Sequence, residues 1–163
     1  MNVAARPIAR ANARSTGKQR LRLWIRLLRS TRAIEADVRE RLRVQFAMTL
    51  PQFDVMAALA RKQDGMTMTD LSRALMVSNG NVTGIIDRLA AENYVVRHAP
   101  AEDRRSFIVR LTPKGAARFS SVAAAHENWI NELLSDFGAE QMESLIEDFD
   151  GLAERIREGG SRP

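Results

Sequence analysis

Apolar residues recur every three or four positions over most of this chain, which is the spacing of helices with one buried side. From Lys18 to Phe46 this spacing predicts a single helix, roughly 40 Å long at about 1.5 Å per residue. A helix of that length needs a partner along it. Pro51 then suits the first turn of a second helix, which the pattern ends near Gly65.

The segment from Ser78 to Asn93 has the clearest division into an apolar and a polar face. Its apolar positions predict a buried stripe formed by Val82, Ile85, Ile86 and Leu89. Ser78 suits the N-cap, because its hydroxyl can accept a hydrogen bond from an unpaired N–H of the first turn. The exposed first turn then carries Asn79, Asn81 and Thr83. Such side chains can contact base edges in the major groove, so the segment is either a DNA recognition helix or an ordinary amphipathic helix with a polar cap.

The elements around this segment favour the DNA-binding interpretation. Residues 66–68 are predicted to make a single extended pairing, and Thr69 with Asp70 is predicted to start a short helix that ends near Met76. Two short helices joined by a tight turn form a helix-turn-helix. The β-prone stretches 94–98 and 107–111 then flank a polar loop, as in a hairpin. This order predicts a winged helix-turn-helix domain over residues 51–112.

The predicted hairpin carries a pair of arginines at its tip. Arg104 and Arg105 follow Asp103 in the loop and are placed to enter an adjacent minor groove, whose narrow A·T tracts attract arginine. The alternative is a surface salt-bridge cluster, which contributes little.

Two more amphipathic helices follow the hairpin. Pro113 suits the first turn of one helix, which Gly138 is predicted to stop, and the last helix starts at Ala139. These helices carry more apolar surface than a small winged helix can cover, so residues 18–46 and 113–158 are predicted to form a helical dimerisation region. The fold class is therefore mainly α with a small β-hairpin wing. A twofold homodimer would present recognition helices about 34 Å apart to a near-palindromic site on double-stranded DNA.

Length, charge and cysteine content limit the classes of protein to which this chain can belong. With 163 residues, 45% of them hydrophobic, the chain can form one domain with an appended helical region. Its formal net charge of +5 indicates an acidic partner, which could be nucleic acid, an anionic membrane surface or an acidic protein. The absence of cysteine excludes disulfides, thiolate chemistry and sulfur-ligated zinc, and it favours the cytosol. No run reaches the roughly 18 apolar residues of a membrane span, so we expect a soluble, cytoplasmic protein without a membrane partner.

Residues 1–17 lack an apolar period and are predicted to be a mobile basic N-terminal arm. Basic residues recur every four positions from Arg6 to Arg26, and no acidic residue precedes Glu35. The arm could follow DNA phosphates, or it could be a solvated tail or a transit peptide. The transit peptide is disfavoured because the basic run continues into the predicted helix.

The order of helices, helix-turn-helix and wing, with D-R-R-S-F-I-V-R-L-T-P-K-G after the wing tip, resembles the MarR family of bacterial transcription regulators. The resemblance spans residues 20–157, and its most specific part is Asp103-x-Arg105 with Leu111-Thr112-x-x-Gly115. It implies a homodimeric winged-helix repressor or activator that a small molecule releases from DNA. By position, Arg105 would be the wing arginine and Asp103 its orienting partner. The remaining DNA-binding candidates are Ser78, Asn79, Asn81 and Thr83 for bases and Arg73 and Arg88 for phosphates, with Thr83-Gly84 where many relatives have arginine.

The resemblance also suggests an effector. W-I-R-L-L-R-S-T-R and L-M-V-S-N-G-N-V-T-G look like the subgroup that controls aromatic-acid catabolism, some members of which sense a CoA thioester. An apolar slot could be made by Trp24, Leu28, Phe53 and Met56. An acid or CoA phosphates could be met by Arg22, Arg26, Arg29 and Arg32. Apolar residues at helical spacing are also compatible with plain core.

No enzyme motif is present. The sequence has no glycine-rich phosphate loop, no G-x-S-x-G, and no histidine beside a nucleophile, and His98 and His126 are far apart for a zinc site. We therefore expect no catalysis, no cofactor and no metal. The competing hypotheses are an architectural DNA-binding protein without sequence preference and a winged helix used for protein contacts.

Overall fold

The computed structural model describes residues 6–98 and 107–159, and this part is mainly helical with a small antiparallel sheet. The elements in chain order are α1 (Arg6–Phe46), α2 (Leu50–Ala60), β1 (Met66–Thr67), α3 (Met68–Leu75), α4 (Asn79–Ala91), β2 (Val95–His98), β3 (Ile108–Leu111), α5 (Pro113–Leu133) and α6 (Ala139–Gly159). The predicted fold class is confirmed. Among the described residues, no helix has the length and apolar character needed to span a membrane.

The chain divides into two compact units, the first up to Ala123 and the second from Ala124. The first unit contains a core to which α1, α2, α3, α4 and the sheet all contribute. Its fully buried side chains are Leu42, Val55, Met56, Leu71, Val82, Ile86, Leu89, Val109 and Val122. Burying one aliphatic side chain of this size contributes about 1.5–3 kcal/mol, so this core holds α4 in place.

The sheet has the strand order β1-β3-β2, and both pairings are antiparallel. Val95 pairs with Leu111 and His98 with Ile108, which makes the predicted hairpin. Met66 pairs with Val109, so the single extended pairing predicted at residues 66–68 is confirmed as the short β1.

The starts of α2 and α3 are fixed by threonine caps. Thr49 accepts a hydrogen bond from the Gln52 N–H, and the Gln52 side chain accepts one from the Thr49 N–H at 2.8 Å, which completes a capping box. The Thr67 hydroxyl accepts from the Asp70 N–H at 3.1 Å. The helix starts at Met68, one residue before the predicted start at Thr69, because the Thr67 side chain already satisfies a free N–H of the first turn.

Three further predicted helix boundaries are wrong, and the first is the end of α2, which lies at Ala60 and not near Gly65. The long helix begins at Arg6 rather than Lys18, so the residues assigned to a mobile arm are helical from Arg6 onward. Pro7 sits in the first turn, where its missing N–H costs nothing, and a single interior glycine costs only about 1 kcal/mol. Helix α5 ends at Leu133, before Gly138, because the Ser135 hydroxyl donates to the Glu132 carbonyl at 2.9 Å and competes with a further helical turn.

The Leu111-Thr112-x-x-Gly115 motif joins the sheet to α5. The Thr112 N–H donates to the Tyr94 carbonyl at 3.0 Å, and its hydroxyl donates to the Asn93 carbonyl at 2.7 Å. The same hydroxyl accepts from the Gly115 N–H at 2.9 Å. A Cβ on Gly115 would lie 1.9 Å from the Tyr94 carbonyl oxygen, so only glycine allows the helix to start this close to the turn before β2.

The second unit contains α6, none of whose residues is buried. Its large apolar residues are all at least partly open to solvent: Met142, Leu145, Ile146, Phe149, Leu152 and Ile156. Within the same unit Trp129 is buried, and its ring meets the His126 ring edge-on with the ring centres 6.5 Å apart. Helix α6 thus has an apolar stripe that is exposed in the described part of the chain.

Candidate nucleic-acid interface

The N-terminal half of α4 is polar and exposed on one side and buried on the other. Val82, Ile86 and Leu89 have no accessible surface, whereas Asn81 and Thr83 are exposed. Helix α3 precedes α4 through a turn at Met76, which adopts a left-handed conformation with φ of 53° and ψ of 37°. The two helices form the predicted helix-turn-helix. The buried stripe fixes which residues of α4 face outward.

Ser78 lies at the N-cap of α4, as the sequence predicts, but its hydroxyl makes no capping hydrogen bond. The expectation that Ser78 satisfies an N–H of the first turn is therefore wrong. Its backbone is extended, with φ of −66° and ψ of 150°, and the side chain is exposed. The helix start thus keeps N–H groups that can bind an anion, which is a property of helix N-termini. Asn79 is the first residue of α4.

The predicted phosphate-binding arginines are both exposed. Arg73 is in the last turn of α3 and pairs with Asp70, with 3.4 Å between their nitrogen and oxygen atoms. Arg88 lies two turns beyond Asn81 on α4 and has no ion pair or hydrogen bond with another described residue. A solvent-exposed pair such as Arg73–Asp70 contributes little to stability, so Arg73 can exchange its carboxylate for a phosphate.

An ion pair joins α4 to the sheet. The Arg97 guanidinium of β2 donates to the carboxylate of Asp87, which the sequence pattern did not single out. This pair links the outward side of α4 to the strand that leads into the wing. The predicted wing residues Asp103, Arg104 and Arg105 lie outside the described residues, which stop at His98 and resume at Phe107.

A groove borders the outward side of α4. Its apolar lining comes from the α1–α2 junction, from the turn before α4 and from α4 itself: Met48, Leu50, Pro51, Val77 and Ile85. Three arginines, Arg39, Arg43 and Arg88, line it as well, together with Thr49, Gly80, Asn81 and Gly84. The cavity measures about 650 Å³. We call it the arginine groove. Neither Arg39 nor Arg43 was predicted, since helical spacing alone does not show that the end of α1 approaches α4.

The residues predicted to bind an effector differ in how far they are buried. Phe53 is largely buried against Phe119, with ring centres 5.8 Å apart, and Met56 has no accessible surface, so both serve as core. Trp24 is 58% exposed on α1. Leu28 is half-buried on the same helix, and the arginines predicted to meet an acid are exposed there: Arg22, Arg26, Arg29 and Arg32. These predicted site residues stay predictions.

Partial burial shifts the pKa values of Asp54 and His126. Burial, and then the nearby negative charge of Glu35, raise the pKa of the Asp54 carboxyl on α2. Burial lowers the pKa of His126. No cluster of three or more potential metal ligands occurs in residues 6–98 and 107–159.

Comparison with known proteins gives the family. The sequence profile of the MarR family matches residues 48–106. The crystal structure of a MarR family transcriptional regulator from Silicibacter pomeroyi, 33% identical, superposes with a TM-score of 0.72 over 86% of this chain and 97% of that chain. This chain belongs to the MarR family. Its helix-turn-helix and sheet are thus those of a family of transcriptional regulators.

Other family members resemble smaller parts of the chain. The transcriptional activatory protein BadR of Rhodopseudomonas palustris is 34% identical over 110 residues, which are 66% of this chain and 58% of BadR. The match therefore leaves more than a third of BadR uncovered. A mutant MarR from E. coli complexed with operator DNA has the same fold, with a TM-score of 0.71 and 22% identity over 82% of this chain and 95% of that chain.

Proposed function

We propose that this protein is a ligand-responsive transcription regulator that binds a specific DNA sequence. The observation that carries the proposal is the exposed, polar first half of α4, with Asn81 and Thr83 outward and Val82 and Ile86 in the core. Helix α4 would enter the major groove, where amide and hydroxyl side chains distinguish base pairs. Ser78 and Asn79 would contact the same site.

Positively charged residues around α4 would hold the DNA backbone. Arg88 and Arg73 are exposed and are assigned to phosphates. Arg104 and Arg105 would reach the adjacent minor groove from the wing, with Asp103 orienting Arg105. Phosphate contacts of this kind supply affinity and its salt dependence, whereas the α4 contacts supply sequence preference.

We further propose that the protein acts as a homodimer on a near-palindromic site. The uncovered apolar stripe of α6 supports this, because exposed apolar surface of this extent needs a partner in water. Helix α1 separately exposes Leu21, Leu23, Trp24 and Ile25. A twofold dimer would place two α4 helices in successive major-groove faces. The E. coli protein described above was crystallised with operator DNA, which supports DNA as the partner.

We further propose that the protein is a repressor of aromatic-acid catabolic genes, and that an aromatic acid or its CoA thioester releases it from DNA. The support is the exposed Trp24 and half-buried Leu28 on an α1 surface rich in arginine. A second copy of the chain would complete a slot there. BadR is named as an activatory protein, so the direction of control is a separate outcome of the experiment.

The test is fluorescence anisotropy at a fixed, stated salt concentration, with the DNA beside this protein's own gene and a scrambled DNA of equal length. Wild type should prefer the native DNA strongly. Asn81→Ala should weaken only that binding, by about 1–3 kcal/mol if a bidentate base contact is lost. Arg61→Gln, an exposed charge change at the end of α2, is the matched control. Aromatic acids or their CoA thioesters should then change the affinity of the wild type for the native DNA.

Three results would contradict the proposal. Equal, salt-sensitive binding to both DNAs would favour an architectural protein, because phosphate contacts alone carry no sequence preference. Binding to neither DNA would favour a winged helix used for protein contacts. Unchanged binding by a folded Asn81→Ala variant would remove α4 from the interface.

A further inference from the structure

Met76 lies in the turn of the helix-turn-helix, and 93% of its surface is exposed. It is the C-cap of α3 and has a left-handed backbone, with φ of 53° and ψ of 37°. A Cβ is unfavourable in this conformation, and glycine is the residue that avoids the cost. The side chain of Met76 therefore lowers the stability of the turn in which it lies.

Packing within the described part of the chain does not offset this cost. A side chain that is 93% exposed buries almost no apolar surface, whereas Met48 and Met56 lie in the core, which is the usual place for methionine. The Met76 N–H donates to carbonyls of α3, and any residue other than proline would supply that group. A strained backbone that carries an exposed apolar side chain indicates a contact outside the chain.

The residues on either side of Met76 belong to the candidate nucleic-acid interface. Arg73, which is assigned to a phosphate, lies one turn earlier, and Ser78, the N-cap of α4, lies two residues later. Val77 is also partly exposed, and its N–H donates to the Ser72 carbonyl at 3.1 Å, which fixes the turn. Met76 and Val77 thus give the turn an apolar surface that is continuous with the residues assigned to DNA.

We propose that Met76 contacts the 5-methyl group of a thymine at the edge of the DNA site. This contact rests on the proposed function, because it requires α4 to enter the major groove. In that groove thymine presents a methyl group that apolar side chains recognise. A residue beside the N-terminus of the recognition helix lies close to the base pairs which that end of the helix contacts. The long, unbranched side chain of methionine adapts well to such a contact.

The chemistry of the thioether disfavours the other groups that DNA offers at this place. A phosphate is bound by cations and by N–H or O–H donors, and the Met76 side chain supplies neither. The remaining base edges in the major groove are recognised by hydrogen bonds, for which a thioether sulfur is only a weak acceptor. Deoxyribose offers C–H groups, but a contact with the sugar would carry no sequence preference.

The test is a uracil scan of the native DNA, measured by fluorescence anisotropy at a fixed, stated salt concentration. Each thymine is replaced singly by uracil, which removes the methyl group and keeps the base pairing. At one or more positions the replacement should weaken binding of the wild type about fourfold, which corresponds to about 0.8 kcal/mol for one buried carbon group. Met76→Gln should lose about the same factor on the thymine DNA and lose nothing further at that position. Met76→Leu should keep the sensitivity to uracil.

The two variants are matched controls for each other. Both keep the Cβ, so the cost of the left-handed backbone is the same, and equal urea midpoints check this. Gln63→Ala, an exposed and uncharged change after α2, should bind every DNA of the scan like the wild type.

Several outcomes would overturn the proposal. One is that no uracil replacement weakens binding of the wild type, and another is that uracil weakens binding of the wild type and of Met76→Gln by the same factor. Met76→Gln could also weaken native and scrambled DNA equally, which indicates a sugar contact, or change no affinity, which indicates no DNA contact. In these cases a wild type that prefers native over scrambled DNA still supports the proposed function. A wild type without that preference contradicts the proposed function and the Met76 contact together.

Discussion

Replacing Gly115 with alanine tests the packing of α5 against the sheet. The new Cβ would lie 1.9 Å from the Tyr94 carbonyl oxygen, 2.8 Å from its carbonyl carbon and 3.1 Å from its Cα. All three are backbone atoms, so no side-chain rotation relieves the overlap. The start of α5 or the turn before β2 must move instead.

The cost follows from what that movement breaks. Overpacking a tight site costs about 1–3 kcal/mol. The Thr112 hydrogen bonds to Tyr94 and Asn93, at 3.0 and 2.7 Å, are each worth about 1 kcal/mol and would be strained or lost. Alanine recovers at most about 1 kcal/mol of helix propensity. We therefore expect Gly115→Ala to lower the free energy of unfolding by about 2–4 kcal/mol.

Urea unfolding followed by circular dichroism measures this change, with a midpoint expected to fall by about 1 M or more for ordinary m-values. Gly84→Ala is the matched control. It lies inside α4 with no atom within 4 Å of the new Cβ, so it should gain up to about 1 kcal/mol. An unchanged midpoint for Gly115→Ala would show that α5 does not approach Tyr94 this closely, and the account of the Thr112-x-x-Gly115 motif would fail.

Two further predictions concern backbone conformation and pH. Met76 is 93% exposed and left-handed, so Met76→Gly should stabilise the protein by roughly 0.5–1 kcal/mol in urea unfolding, while Met76→Ala, which keeps the Cβ, should not. Burial and then Glu35 raise the pKa of Asp54 in the folded state, so the folded state binds this proton more tightly, and stability falls as pH rises through that pKa. Asp54→Asn should therefore unfold at higher urea than wild type at neutral pH, with the gap closing as pH falls toward about 4. A gap that is equal at both pH values would contradict this cause.

The sequence predicts well those elements that depend only on the local spacing of apolar and turn residues. The short extended β1, the helix-turn-helix, the hairpin and the start of α6 follow from apolar periodicity and turn residues. Helix boundaries were less predictable because single side chains decide them. Thr67 starts α3, and a hydrogen bond from Ser135 accompanies the end of α5, although neither breaks the apolar pattern.

Residues of the candidate site could be predicted from the sequence only where they lie on a single helix. The outward face of α4 is a property of that helix, so its polar residues could be named from sequence. The arginine groove needs the end of α1 beside α4, and this approach depends on tertiary packing. The Asp87–Arg97 pair likewise joins two elements. The helical spacing of Phe53 and Met56 is compatible with a pocket and with a core. Only the burial of these side chains in the structure distinguishes the two roles.

The composition of α4 links its stability to its proposed role. An interior glycine costs a helix about 1 kcal/mol relative to alanine. Close packing does not offset this cost at Gly84, since a Cβ built there would have no atom within 4 Å. The helix is instead held by the burial of Val82, Ile86 and Leu89. Gly84 keeps one side of α4 bare, and the bare side is where the arginine groove meets Asn81. Filling position 84 should thus stabilise the helix and narrow the groove, so α4 keeps an open face beside Asn81 at a cost to its own stability.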